Sequence, residues 1–309
     1  MSILLLSLLG CTHDFGLNPS WDEGELPRDS AAAEEAPVDS AEDSAAPEDS
    51  EHLEDLEPTE DDPPEQDLPP EDDCRHTSDL IYVLSRDDGR LMTFDPVTAE
   101  FTSLGTPRCG STQTPGSMAV SRDGVAYVRY ADDSVFAVNL DTLACTPTSY
   151  SDRRTHFDSF GMGYSTDSAD TWRDQLYVAN GSTLGVLDTA TWTLTPIGDM
   201  PSQSELTGNA EGELWAMLPL ERVAELARLD KSNGQRVERL SLPEFPDPGG
   251  IDTFAFATWN GRFYLFIREY GMGSSTDVYE VTRAGVMRRV LTDVGFDVVG
   301  AGVSTCAPG

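Results

Sequence analysis

The sequence predicts an all-β fold, a five-bladed β-propeller closed by its C-terminal strand and preceded by a disordered acidic linker, and three observations carry that reading. The first is a strand–turn–strand unit, LMTFDPVTAEFTSL from Leu91 to Leu104, which returns four more times. Its turn openers Asp95, Asn139, Asp188, Asp230 and Thr282 are 44, 49, 42 and 52 residues apart, the spacing of propeller blades. The second is period-two alternation of Val, Leu, Tyr, Phe and Thr after Cys74, with no convincing helical period. The third is a circular offset: the first unit has no inner strand before it, and the chain ends in a strand-like run with no unit after it.

Each blade needs four antiparallel strands, A to D from the axis outward. The repeated hairpin supplies C and D. Strand B is the aromatic-rich run ahead of each hairpin: LIYVLS from Leu80, VAYVRY from Val125, QLYVAN from Gln175, ELWAML from Glu213 and RFYLFI from Arg262. Strand A is read in runs with small residues, SMAVS from Ser117, SFGMGYS from Ser159, LTGNA from Leu206 and TFAFAT from Thr253, because sheets crowd together near the axis. The fifth A strand is VVGAGVS, Val298 to Ser304, which must return to complete the blade begun at Leu80. Leu218 to Leu226 contains Pro219 and is read as a decorated loop. Asp and Asn at the turn openers bond their own backbone two residues on, and Thr does so more weakly, so turn chemistry rather than metal ligation explains them.

Charge divides the chain. Residues 12–76 hold 24 Asp and Glu against Arg28 and Arg75, about −22 of the formal −35, which leaves about −13 for the rest. Few large apolar groups and nine prolines between Leu17 and Asp73 keep that segment from offsetting its ordering entropy, so it is expected to be a disordered tether. A coil of about sixty residues reaches roughly 45 Å. Residues 77–309 then form the propeller domain. Acidity this strong, with Lys231 as the only lysine, excludes nucleic acid as a partner, since phosphates need cations.

The apolar stretch Ile3–Leu9, interrupted by Ser7, is too short to span a bilayer. The residues Leu8-Leu9-Gly10-Cys11 resemble the lipobox of bacterial lipoproteins. That resemblance implies a signal peptide over residues 1–11, lipidation of Cys11 and a lipid anchor in the cell envelope, and His13 in place of Asp two residues after the cysteine implies the outer membrane. The stretch departs from the pattern in having no Lys or Arg ahead of it. Taken with the repeated hairpins and the ending Val298–Cys306, the chain resembles bacterial surface lipoproteins in which a lipobox and an acidic linker carry a propeller.

Cys74, Cys109, Cys145 and Cys306 are an even set in a chain with an export signal, which points to two disulfides in an oxidising compartment. The circular offset brings Cys306, after the last A strand, to Cys74, before the first B strand; Cys109 then pairs with Cys145 across the first two blades. No CxxC spacing suggests zinc.

Little in the sequence points to chemistry. His156 is the one histidine within the propeller, and its nearness to Ser151 and Asp158 in sequence is no sign of triad geometry. Asp87-Asp88-Gly89 and Asp132-Asp133-Ser134 fall where B–C turns belong. FGMGYSTD at Phe160 and YGMGSSTD at Tyr270 fall in a strand A and a B–C loop. A ligand belongs at the axial mouth, where loops from every blade converge. The insertions Ser151–Asp158 and Ser165–Arg173 are the longest departures from the repeat, and Arg153, Arg154, His156 and Asp158 are the ligand-binding candidates. The expected function is a tethered, non-enzymatic binding or scaffolding module with a protein or glycan partner and no cofactor or metal. The alternative is a propeller lyase, hydrolase or quinoprotein.

Overall fold

The computed structural model describes Cys74 and residues 79–309, apart from 170–172, 221–222, 244, 246–249 and 272–274. Cys11, the expected signal peptide and the expected linker over residues 12–76, Cys74 excepted, lie outside the described residues. In chain order the strands are β1 (Ile81–Ser85), β2 (Leu91–Asp95) and β3 (Glu100–Gly105); β4 (Pro115–Val120), β5 (Val125–Tyr130), β6 (Val135–Asn139) and β7 (Cys145–Pro147). A single turn of helix follows, α1 (Asp152–Thr155), then β8 (Gly161–Thr166), β9 (Asp174–Ala179), β10 (Thr183–Asp188) and β11 (Thr193–Asp199). The last strands are β12 (Glu205–Gly208), β13 (Leu214–Pro219), β14 (Ala224–Leu229) and β15 (Arg236–Leu242); β16 (Ile251–Trp259), β17 (Arg262–Glu269), β18 (Asp277–Thr282) and β19 (Met287–Leu291); and β20 (Val298–Gly302).

These strands form five antiparallel four-stranded sheets, the blades of a five-bladed β-propeller. Blades 2 to 5 are consecutive meanders, whereas blade 1 has the order β20-β1-β2-β3. There the far end of the chain pairs antiparallel with its first strand, Tyr82 opposite Gly302 and Leu84 opposite Gly300. The inner strands touch in the cyclic order β20, β4, β8, β12, β16 and back to β20. Closure removes the axial edge, as the offset predicts.

Small residues on the inner strands are a steric requirement. A Cβ on Gly163 of β8 would lie 2.5 Å from the Leu206 carbonyl oxygen of β12, and one on Gly300 of β20 would lie 2.8 Å from Met118 Cβ on β4. Farther out, the space between blades is filled by five apolar clusters, one for each pair of neighbours. The cluster between blades 5 and 1 gathers Ile81, Phe94, Tyr264, Phe266 and Val298, with the Phe94 and Phe266 rings edge to face at 5.5 Å.

The C–D turns share one geometry. Asp95 Oδ1 accepts the N–H groups of Val97 and Thr98 at 2.7 and 3.2 Å, and Asp188 Oδ1 those of Ala190 and Thr191 at 2.9 and 2.8 Å. Asn139, Asp230 and Thr282 accept from their turns likewise. In four turns the residue four positions on donates its N–H to the opener's carbonyl and takes a left-handed conformation: Ala99 (φ 58°), Leu143 (φ 57°), Trp192 (φ 56°) and Gly234 (φ 76°). The donors hold the Asp95, Asp188 and Asp230 carboxyls below the ordinary range, led by the Val97 N–H, the Thr191 N–H and the Ser232 side chain respectively.

One expectation is corrected. Leu218–Leu226 is no decorated loop, because β13 continues to Pro219 and β14 begins at Ala224. Strand β12 ends its pairing at Met217, so on that side Pro219 has no ladder bond to lose.

Both disulfides are present. Cys74 joins Cys306 across 232 residues of sequence with their Cα atoms 5.5 Å apart, and Cys109 joins Cys145 at 4.9 Å across 36 residues. In the chain-entropy model so long a loop constrains the unfolded state by up to about 5 kcal/mol. Deleting Val298–Gly309 is expected to strip hydrogen-exchange protection from the Leu91–Leu104 hairpin, some two hundred residues earlier in the chain. Protection equal to that of the intact chain would contradict the closure.

Candidate functional site

The ends of the inner strands make the two poles of the ring different. At the pole where A strands begin, a cavity of about 410 Å³ opens on the axis, and every blade contributes to it: Val299 on β20, Gly116 on β4, Ser159 ahead of β8, Glu205 at the start of β12, and Thr253 and Phe254 on β16. Residues from the B–C side, Arg86, Arg129 and Asp133, stand around these. This is the axial mouth.

Ion pairs organise its wall. Arg86 reaches Asp252 on blade 5 at 3.1 Å, and Arg268 bonds the same carboxylate and Asp297 at 2.9 Å. Burial holds the Asp297 carboxyl above the ordinary range, with Arg268 opposing. Across the mouth Arg129, only 7% exposed, donates Nε to the Phe160 carbonyl at 2.8 Å and Nη1 to the Tyr130 carbonyl at 3.2 Å and Asp133 at 3.3 Å. Its guanidinium lies 5.6 Å from the Phe160 ring centroid. Asp133 in turn accepts the Ser159 N–H at 2.8 Å, which ties blade 2 to blade 3.

Glu205 crosses the floor. It begins the inner strand of blade 4, yet its Oε2 accepts a 2.8 Å hydrogen bond from the Ser117 hydroxyl on blade 2. The span passes blade 3 at Gly161, where a Cβ would come 2.9 Å from Glu205 Cα. Burial raises the Glu205 pKa to about 8, although the Ser117 bond, the Arg129 charge and the Met162 backbone pull it down. At neutral pH it is mainly the neutral acid.

The opposite pole is covered by the chain's own end. Beyond β20, Thr305 Oγ1 lies 2.8 and 2.7 Å from the two Asp174 carboxylate oxygens on blade 3, and it accepts from Arg122 of the β4–β5 turn at 2.8 Å. Arg122 grips Asp174 with two bonds of 2.9 and 2.8 Å. The Pro308 carbonyl accepts the Asn260 N–H on blade 5 at 2.6 Å, and Gly309 lies against Glu211 on blade 4. Residues 303–309 form a strap across the A–B turns, and Cys306 holds Cys74 within it.

The residues singled out from sequence lie elsewhere. Arg153 and Arg154 are in α1, His156 caps it in a left-handed conformation (φ 53°), and Asp158 follows. Asp152, Arg153, His156, Phe157 and Asp158 line a separate cleft of about 440 Å³ that shares no lining residue with the mouth. Buried Phe157 anchors this insertion in the cluster between blades 2 and 3, and Ser159, next but one, leads into the mouth. The second insertion meets the strapped pole's side of the ring: Lys231 Nζ bonds the Thr166 carbonyl and, at 2.8 Å, that of Asp167. Glu205 and Arg129 were not singled out from sequence. Each nonetheless shows there as a charge inside an otherwise small or apolar run, SELTG and VAYVRY. Among the described residues no three His, Cys, Asp or Glu converge as a metal group would require.

Fold and mouth together define a five-bladed β-propeller with one open pole. No protein-family model matches the chain, and no curated protein matches it in sequence. Among solved structures it is similar to a protein of unknown function from Bacteroides caccae (10% identity, 73% of this chain and 98% of that one, TM-score 0.43). It is similar also to a chain of a nidogen/laminin complex (12% identity, 72% and 97%, TM-score 0.44) and to a structural genomics protein of unknown function from Bacteroides thetaiotaomicron VPI-5482 (14% identity, 72% and 58%, TM-score 0.42).

The buried acid sets a pH dependence. Between its ordinary value of 4.5 and about 8 the folded chain keeps a proton that the unfolded chain has released, so Glu205 destabilises the fold increasingly as pH rises through that window. Glu205→Gln keeps an acceptor for Ser117 and removes the titration. Its melting temperature is expected to exceed that of the native chain by more near about pH 9 than near about pH 5.5. A pH-independent gap would show that Glu205 does not titrate in this window.

Proposed function

We propose that this protein is an extracytoplasmic lipoprotein, held at the bacterial outer membrane by lipid on Cys11 and its acidic linker, and that it acts as a non-enzymatic binding module with a protein or glycan ligand in the axial mouth. The observation that carries the binding reading is the mouth itself, a polar cavity to which all five blades contribute, on a ring whose other pole is strapped shut. The two disulfides suit an oxidising compartment. Cys74 is bonded to Cys306 in the strap, at the pole away from the mouth. The α1 insertion with Arg153, Arg154, His156 and Asp158 adjoins the mouth through Ser159 and offers a secondary contact region.

The enzymatic alternative has one observation in its favour, a carboxyl in the mouth that keeps its proton at neutral pH and so resembles a general acid. Turnover of a bound ligand that is lost in Glu205→Gln would favour a hydrolase or lyase.

Two measurements test the reading. Labelling with a radioactive fatty acid is expected to mark the native chain and not Cys11→Ser, and equal label in both would remove the lipid anchor. In a thermal-shift screen of peptides and glycans, a stabilising ligand is expected to lose its effect in Gln203→Trp, which places a large ring at the exposed rim of the mouth. Stabilisation kept in that variant would place the site elsewhere, and a screen without a stabilising ligand would count against a binding module of this kind.

A further inference from the structure

The charges of the mouth can be counted. Asp252 is paired with Arg86 and Arg268, and Asp133 with Arg129. Among the described residues that line the cavity, Glu205 is then the one acid in no ion pair, and it is 6% exposed. Its hydrogen-bond donors, the Ser117 hydroxyl and the Met162 backbone, are both neutral. Arg129 is near enough to act on it electrostatically, but directs its hydrogen bonds to Phe160, Tyr130 and Asp133 instead. On the neighbouring blade Thr253 lines the same cavity, and its hydroxyl is buried without a partner among the described residues.

A lone buried carboxyl is costly in its charged form unless a cation meets it. Among the described residues no cation forms an ion pair with it: Arg129 acts on it only through its charge, and Lys231, the single lysine, bonds backbone carbonyls near the other pole. The net charge of about −13 on residues 77–309 draws cations toward the ring.

We propose that the mouth receives a single primary ammonium group, as borne by a lysine side chain of a partner peptide, with the Glu205 carboxylate as its counter-ion at the floor. The inference rests on the mouth being the binding site and narrows the partner to a basic peptide rather than a neutral glycan. The ligand arrives as an ammonium and keeps its proton, Glu205 gives up its own to the buffer, and the ion pair forms between them, so each binding event releases at most one proton. Thr253 on the next blade offers a hydroxyl acceptor for a second ammonium hydrogen.

Calorimetric titration of the full chain with N-acetyl-lysine amide near neutral pH, in two buffers of different ionisation enthalpy, tests this. N-acetyl-norleucine amide serves as the uncharged control. The lysine compound is expected to bind with proton release and the norleucine compound not to bind. Glu205→Gln is expected to weaken binding by about tenfold or more and to abolish the proton release. No heat of binding up to about 10 mM lysine compound would overturn the proposal, as would binding without proton release or binding unchanged in Glu205→Gln. An uncharged ligand whose stabilisation is lost in Gln203→Trp would sink the ammonium assignment and leave the mouth as the site. Binding of the lysine compound indifferent to both variants would sink both.

Discussion

Everything in this ring depends on β20 lying against β1. Without that pairing, blade 1 would have three strands, the inner edge of β1 would be unpaired, and Ile81 and Val83 would lose much of the cluster that buries them with Val298, Ala301 and Phe266. Bringing together segments more than two hundred residues apart carries a large entropy cost. That cost is offset in two places: by the apolar cluster between blades 5 and 1, and by the Cys74–Cys306 bond, which shortens the search in the oxidised chain.

Closure also breaks the equivalence of the poles. Each inner strand starts at the mouth and ends at the A–B turns, so a chain that finishes on an inner strand must place its remaining residues at the A–B pole. Thr305, Pro308 and Gly309 follow from that geometry, and the Arg122–Asp174 pair anchors them on blades 2 and 3. The mouth stays open for the complementary reason. Inner strands pressed together at Gly163 and Gly300 leave no room for a side chain between them, whereas Glu205 at the start of β12 and Thr253 on β16 line the cavity.

The repeat, the closure and both disulfides were legible in the sequence because each rests on local signals that recur: period-two alternation, turn openers, small inner-strand residues and four cysteines flanking them. The left-handed fourth turn position was not legible, since Ala99, Leu143 and Trp192 carry no chemical mark of it; Trp192 is held there by its ring's contact with Tyr127. Pro219 misled because proline ordinarily ends a strand, and only the shortness of β12 excuses it here. The mouth was legible as a place but not as residues. Glu205 and Ser117 are 88 positions apart and meet only because their strands lie either side of blade 3 on a five-membered ring. A reading that looks for clustered titratable groups goes instead to Arg153–Asp158, where proximity in sequence gives a cleft on the insertion itself.

Folding alone does not account for an acid at position 205. Glutamine has the same reach, would accept the same bond from Ser117, and carries no charge whose burial must be tolerated; the acid instead makes the fold less stable as pH rises toward about 8. Arg129 could have been its partner, but its Nε and Nη1 donate to two backbone carbonyls and to Asp133, which itself orders the approach to blade 3 through Ser159. The wall carboxylates Asp133 and Asp252 are thus each paired with an arginine, whereas Glu205 on the floor is in no ion pair among the described residues. A residue that weakens the ring as pH rises, faces the axial cavity and is in no ion pair among the described residues is better explained by what enters that cavity than by what surrounds it.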